Sequence, residues 1–581
     1  MRRNDLAILI VSLSVSILFA TLLTLPRIDT AQPDPYFHVK ITPVIYWIGF
    51  CLAIFVTLGI VFSKREASGH YGLGLFPVML LSVYVYVIPH LFYINPIYTD
   101  TYIFVGELLY TLRYGHIGWG HSYETPGLAL FSSQFSLITG IDHIIVAEIL
   151  QLVIPLIMIF LVYVVAQLFV SKRIALLACL FSISINWMGF VFNRQSFGLL
   201  LFMLVCYLMF KILASKAKIL PWNLLLILSF SALVFSHPIS SLLVIITAFL
   251  VAVFAYLVPV IRRFWRVQED SFEWRRLMIR AISQTAVFSI IWLLWNTYVG
   301  VNIDYAIRTF DETFRGILGL AHIEQPGALT PNYTSTYLPI IGLRMLEMIF
   351  VATIGTILAI LVLVKVHAHP KNIILSSWFI GCMSLSVFGF YGNWLQLLYR
   401  PFLHAYPAFS TLLAWFIVSR NSIHIEIGFR TKLVFRIAKG LSVGIMLFFL
   451  LIIPLTMYSH APFMYPPRVY YRETIHVVQH GNGTIAVFEI GSEYGYYQLL
   501  TNASYTSAVP YMPSSNREYR TIMTGYRGYI KDAFFVYTPS LTHIMETFEI
   551  KFAEHPSFAK VYDADSWHKV YVNQTIGSVK P

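Results

Sequence analysis

The sequence predicts an all-α polytopic membrane domain of about thirteen transmembrane helices, with interfacial helices in an outer loop and a small C-terminal extracytoplasmic α/β domain. Three observations carry this. Of 581 residues, 57% are hydrophobic and only 12% charged, about half the charge of a typical soluble chain. The apolar residues fall in runs of about 20, the length that crosses a bilayer as helix. Lys and Arg gather in alternate connections between those runs, as they do in cytoplasmic loops.

The runs follow in order. Leu6–Leu25 is longer than the about 7–15 apolar residues of a signal peptide, and no small-residue cleavage site follows it, so it reads as a retained span. Next come Ile41–Phe62, Tyr71–Phe92, Ile144–Val170, Ile174–Val191, Phe197–Leu213, Trp222–Phe235 and Ile239–Ile261. Ala281–Tyr298, Leu338–Val364, Ile373–Phe390, Phe402–Val418 and Leu441–Met457 complete the set. Gly127–Thr139 is too short and polar to span and reads as a re-entrant or interfacial helix.

With Arg2 and Arg3 holding the N-terminus in the cytoplasm, the inner loops carry Lys64 and Arg65, Lys172 and Arg173, Lys211 and Lys216, and Arg262 to Arg280. Further on they carry Lys365, Lys371 and the group from Arg420 to Lys439. An odd number of spans then leaves the C-terminal tail outside. The glycosylation sequons at Asn332, Asn482, Asn502 and Asn573 all fall on outer segments under this topology.

The net charge of +12 is therefore a topology signal, and nucleic-acid binding is excluded. Cys51, Cys179, Cys206 and Cys382 lie singly within apolar runs, which argues against a disulfide framework or thiolate metal site. The membrane domain covers residues 1–458, and 459–581 form the outer domain. There Thr484–Ile490 and Ala533–Tyr537 read as buried strands, Ser540–Glu554 as a helix, and Lys560–Tyr562 with Lys569–Val572 as a hairpin.

Chemistry concentrates in the outer loop 95–140, too polar to span and too aromatic for a simple linker. Tyr102, Val105, Leu109 and Leu112 recur at helical spacing, so Thr101–Tyr114 reads as an amphipathic helix on the membrane surface. Thr99 and Asp100 stand at its N-cap. Asp100 is either a cap worth about 1 kcal/mol or a carboxylate at the lipid boundary, placed to take a proton from an acceptor hydroxyl.

The acid opening this helix, the glycines at 115, 118 and 120, the Y-x-x-P-G element at Tyr123–Gly127 and the closing Leu-Ile-Thr-Gly together resemble the first outer loop of GT-C membrane glycosyltransferases. Asn193–Gly198, His237–Ser241 and Tyr399–Pro401, each opening a span, extend the likeness, as does the outer C-terminal domain. The resemblance implies a sugar transferred from a polyprenyl-phosphate donor to a glycan, lipid or protein acceptor outside the cell membrane. It implies Asp100 as the catalytic carboxylate. Asp34, in a D-P-Y-F-H string similar to oligosaccharyltransferase first loops, ranks second. The W-W-D-x-G signature of protein N-glycosylation is absent, and two spans rather than one precede the loop.

Arg194, Arg344, Arg400 and His237, at outer helix ends, are the candidates for holding the donor phosphate. Each has a plainer reading. Arg344 with Glu347 makes a local pair snorkelling to the interface; Arg400 is a topology anchor; His237 and His404 are polar helix ends. A divalent ion (Mg or Mn) could be held by Asp100, His121, Glu124, Asp142 and His143, although their spacing resembles no dedicated ligand set. The outer loop Asp304–Pro339 is either a lid or a solvated connection. The rival functions are a non-catalytic scaffold on the same frame and a secondary transporter, which would carry paired charges or broken helices at mid-membrane and an internal inverted repeat.

Overall fold

The computed structural model describes residues 3–28, 36–62, 71–93, 99–117, 124–186, 191–215, 220–264, 271–299, 338–365, 370–391, 395–418 and 429–458, positions 311 and 315, and five strands between 484 and 573. It is an all-α polytopic membrane fold, to which the strands are added. The helices are α1 (Arg3–Thr24), α2 (Phe37–Ile41), α3 (Val44–Phe62), α4 (Tyr71–Ser82), α5 (Ile88–Leu91) and α6 (Thr99–Tyr114). They continue with α7 (Gly127–Thr139), α8 (His143–Ala166), α9 (Lys172–Ser184), α10 (Arg194–Ala214), α11 (Leu220–Ser236) and α12 (Pro238–Phe264). The last are α13 (Ser271–Val299), α14 (Leu338–Lys365), α15 (Pro370–Tyr391), α16 (Leu395–Val418) and α17 (Phe429–Tyr458).

Each apolar run expected to span overlaps a helix, although the helix in Ile174–Val191 ends at Ser184. Among the described residues, nine helices are long and apolar enough to cross a membrane, and Ser12–Thr24, Gly127–Thr139, Leu220–Ser236 and Lys371–Val387 are shorter apolar stretches. Two kinds of surface explain the packing. Phe55, Phe249, Ile290, Leu294 and Leu451 are exposed, as lipid-facing side chains are, while Trp378, Tyr46, Tyr84, Tyr406 and Phe50 are fully enclosed. The four cysteines are free, three of them buried, in line with their reading as small hydrophobes.

One span is broken. Between α4 and α5 the chain makes a π-helical turn, Val83–Val87. Such a turn strips backbone carbonyls of their usual partners, and hydrocarbon offers none. Tyrosines replace them: Tyr46 Oη donates to the Tyr84 carbonyl at 2.7 Å, and Tyr458 Oη, at the end of α17, to that of Val85 at 3.1 Å.

Just beyond, the Ile28 N–H donates to the Phe92 carbonyl at 2.7 Å, and Ile28 and Tyr93 form an isolated parallel bridge. The connection after α1 and the outer loop that opens after α5 therefore leave the bundle side by side. His38 on α2 seals this point, 3.5 Å from Tyr93 Oη and stacked on Tyr458. Burial, then the neighbouring His90, pushes its imidazole down to about 3.

Strands β1 (Thr484–Val487), β2 (Tyr505–Ser507), β3 (Ala533–Val536), β4 (Phe558–Asp563) and β5 (Lys569–Asn573) make a mixed sheet in the order β2-β1-β3-β5-β4. β1 pairs parallel with β2 and β3; β5 pairs antiparallel with β3 and β4. The expected hairpin is β4–β5. The third strand of the parallel set, β2, is too short for its pattern to stand out. The expected helix Ser540–Glu554 lies outside the described residues.

Two predictions follow from packing and burial. A Cβ on Gly355 of α14 would lie 2.2 Å from Cζ of the enclosed Phe379, whereas one on Gly342 of the same helix meets nothing within 4 Å. Gly355→Ala should cost about 1–3 kcal/mol through overpacking, while Gly342→Ala is neutral or stabilising, by up to about 1 kcal/mol; thermal unfolding in detergent compares them. His38 takes no proton in the fold until about pH 3, but does so near its ordinary value when unfolded. Its contribution is therefore full above about 6.5 and falls by up to about 1.4 kcal/mol per pH unit below that. His38→Gln should flatten the acid limb of a melting-temperature profile.

Candidate functional site

The described residues of the segment 95–140 include two helices. α6 begins at Thr99, two residues earlier than its apolar periodicity indicates, so Asp100 is the second helical residue rather than the cap. Helix ends shift by a residue or two between definitions, but the first turn is still where a carboxylate is favoured by the helix dipole. Val105 and Leu108 are fully buried beneath α6. α7 is the short helix expected at Gly127–Thr139, ended by Gly140 in the left-handed conformation at φ +68°. At its other end Gly127 lies so close to α11 that a Cβ there would be 2.0 Å from Ser236 Oγ. Only glycine fits that crossing.

Two turns beyond Asp100, Glu107 makes an ion pair with Arg194. Arg194 is the first residue of α10, whose N-cap Asn193 accepts from the Ser196 N–H at 2.8 Å. The guanidinium also lies over the Phe104 ring, 5.2 Å from its centre. Both charged side chains are nearly buried, 14% and 10% exposed. Helix α6 is thus clamped to the start of α10 by charge. Glu107 escapes the sequence because a lone acid between Gly106 and Leu108 reads as a solvated position; its partner is 87 residues away.

The second part of the site lies where α11 meets α12. His237 is buried at that break, and Gly198 of α10 packs so tightly on it that a Cβ there would be 2.4 Å from the His237 Cβ. His237 Nδ1 is 2.7 Å from Ser240 Oγ, which is 2.6 Å from His404 Nε2 on α16. His404 Nδ1 lies 2.9 Å from the Arg400 carbonyl. Burial, then the charges of Arg400, His404 and Arg194, hold the His237 imidazole well below its usual range. Of the four residues expected to hold a phosphate, Arg194 at the start of α10, His237 just before α12 and Arg400 in the second turn of α16 thus lie within electrostatic reach of one another around His237. The N-termini of α10 and α12 add partial positive charge.

Arg344 is the exception. It is buried rather than snorkelling, and its guanidinium donates to the Thr456 carbonyl of α17 through Nε at 2.8 Å and through a second nitrogen. Glu347 is buried too, and its Oε1 has no hydrogen-bond partner among the described residues. The expected snorkelling pair is thus corrected. The two residues lie inside the bundle, where Arg344 ties α14 to α17, because a charge facing lipid costs more than one bonded within the protein.

Asp34, His121, Asn332, Asn482 and Asn502 lie outside the described residues, as does most of the loop Asp304–Pro339. Asn573 ends β5, opposite Phe558. Among the described residues no three His, Cys, Asp or Glu side chains converge as a metal site. Asp142 instead caps α8, accepting from the Ile144 N–H at 2.9 Å, and sits 3.1 Å from His143.

No family model and no curated protein matches the chain by sequence. Solved structures do. The apo oligosaccharyltransferase of Archaeoglobus fulgidus is similar over 82% of this chain and 70% of its own, with a TM-score of 0.51 at 13% identity. The same enzyme tethered to an acceptor peptide containing the NVT sequon also gives 0.51, at 12% identity over 81% and 70%. ArnT from Cupriavidus metallidurans, bound to undecaprenyl phosphate, gives 0.50 at 13% identity over 91% of this chain and 98% of its own. These neighbours are GT-C membrane glycosyltransferases. The chain shares their fold.

Removing one member of the clamp should leave the other charge nearly buried and unpaired, at a cost of about 3–5 kcal/mol. Glu107→Ala should therefore lower the unfolding temperature markedly. Adding Arg194→Met to it should recover a good part of the loss, as a double-mutant cycle of thermal melts would register.

Proposed function

We propose that the chain is a membrane glycosyltransferase that moves a sugar from a polyprenyl-phosphate donor to an acceptor on the outer side of the cell membrane. One observation carries the reading: Arg194, paired with Glu107 of the helix that begins at Thr99, and Arg400 both bear on the buried His237. The shared fold supports it, and one neighbour with that fold, ArnT, was solved with undecaprenyl phosphate bound.

The chemistry requires what this arrangement offers. In the donor the phosphate is a diester with one negative charge. The acceptor hydroxyl oxygen forms a bond to the anomeric carbon while the bond from that carbon to the phosphate oxygen breaks. The electron pair stays on the polyprenyl phosphate, which leaves with a second negative charge. Asp100 takes the hydroxyl proton. Arg194, Arg400 and the two helix N-termini stabilise the charge growing on the phosphate, where fixed cations do most for a transition state. Arg194 is held ready by Glu107, so it is positioned before the donor arrives.

In this reading the N-terminus is cytoplasmic, about thirteen helices cross the membrane, and residues 459–581 form an extracytoplasmic α/β domain carrying sequons at Asn482, Asn502 and Asn573. Asp34 is the second candidate acid. The set Asp100, His121, Glu124, Asp142 and His143 offers a divalent ion (Mg or Mn) no converging ligands among the described residues. No step above depends on it.

The test is transfer of radiolabelled sugar from polyprenyl-phosphate hexoses by membranes containing the full chain. Asp100→Asn should abolish transfer without loss of expression; an active variant refutes its role as base. Farnesyl phosphate in large excess should raise the melting temperature of the purified chain, a gain of about 2.7 kcal/mol at a hundredfold over its dissociation constant. Arg400→Met should abolish that shift. Absence of any shift, with stoichiometric protein partners on purification, would favour the scaffold instead.

A further inference from the structure

Helix α6 spends its apolar side chains on the protein. Val105 and Leu108 are fully buried, and the helix packs on α7. Among its described side chains no aliphatic one is exposed, and the large apolar side chain it shows to the outside is Tyr114, 48% exposed. α7 differs, with Leu137 and Ile138 exposed at 70% and 85%. A helix lying in the lipid boundary presents an apolar stripe of the kind α7 has. The outward face of α6 is aromatic and polar instead.

Three rings gather where α6 ends. Gly115 adopts the left-handed conformation at φ +70°, and its N–H donates to the Thr111 carbonyl at 3.0 Å. Glycine takes that conformation without strain, and the turn brings His116 back against the last turns of the helix. The Tyr110 and Tyr114 rings are 4.6 Å apart between centres, and His116 lies 5.4 Å from the first and 6.2 Å from the second. Tyr114 and His116 are exposed, and Tyr110 is half-buried. His116 Nδ1 is 3.0 Å from the Ile117 carbonyl, which can only accept, so Nδ1 carries a proton and donates it. In the neutral ring Nε2 is then an acceptor.

Aromatic rings left in water gain free energy when a ligand covers them. The ligand that fits here must offer C–H faces to the rings and hydroxyls to the two phenols and the imidazole. A sugar ring does both: its C–H face packs on a tyrosine, and the hydroxyls at its rim meet the polar tips. Placement gives the cluster a role. At 3.6 residues per turn, Glu107, Tyr110 and Tyr114 fall within about 60° of one another around α6. The rings therefore continue the side of the helix that holds the Arg194 clamp, about 15 and 21 Å along the axis from Asp100.

We infer that Tyr110, Tyr114 and His116 form an acceptor subsite that binds sugar residues remote from the reacting hydroxyl. Resting on the transferase reading, this narrows the acceptor from a glycan, lipid or protein to a glycan.

Saturation-transfer NMR on the full chain in nanodiscs tests it, with mannotriose, cellotriose and chitotriose as probes. At least one trisaccharide should bind. Tyr114→Phe keeps the ring and should hold that affinity within about threefold. Tyr114→Leu, apolar but without a ring, should weaken it about tenfold. A charged maleimide should label Tyr114→Cys in the nanodisc beyond the labelling of the native chain, and more slowly with the trisaccharide present. Failure of all three sugars to bind, or equal binding by the Phe and Leu variants, overturns the inference. So does a thiol in Tyr114→Cys that labels only after the disc is dissolved in detergent, which puts the residue in lipid. The melting-temperature shift with farnesyl phosphate separates the two claims. If that shift persists while these tests fail, the transferase reading stands without the glycan subsite. Trisaccharide binding through Tyr114 without the shift keeps the glycan site and overturns the transferase.

Discussion

A polar group inside a bilayer must find its partner within the protein, because hydrocarbon supplies none. That constraint accounts for each irregular feature of this chain. The π-turn at Val83–Val87 exists because tyrosines from α3 and α17 meet its carbonyls. Arg344 is tolerated because the Thr456 carbonyl receives it. The break at His237 persists because the imidazole caps the helix that follows. At the π-turn and at Arg344 the bond joins two spans, so the irregularity also locks helices together.

The candidate site is assembled from the same kind of joint. Arg194 and His237 stand at helix starts, where N–H groups lack intrahelical partners and point along the axis. A cluster of such starts is electropositive before any arginine is counted. Arg194, His237 and Arg400 add to a field that the backbone has already set up, and Glu107 keeps Arg194 from collapsing elsewhere. The small residues at Gly127 and Gly198 let three helices approach closely enough for this to occur.

Much of this was legible from composition and pattern, since a run of about 20 apolar residues has few alternatives to a membrane helix. The amphipathic helix after the Thr99–Asp100 pair was legible from its periodicity. So were Arg194, His237 and Arg400, which stand at the mouths of their spans beside Asn193, Pro238 and Pro401. What stayed hidden was pairing. Glu107 and Arg194 are 87 residues apart, Ser240 and His404 are 164 apart, and a serine in an apolar run gives no sign of bridging two histidines. Arg344 illustrates the converse. Local spacing offered it Glu347 and the membrane surface, and only the arrival of α17 made the interior the better place.

The bridge between Ile28 and Tyr93 bears on biogenesis. It joins the first connection to the end of the third crossing, so it cannot close while the ribosome is still delivering α3 or α4. Until then α1 is held by its packing on α3 without the bridge. The connections after α1 and α5 acquire their shared point of exit only when α5 has emerged, which orders the closing of this joint behind the delivery of α1, α3 and α4.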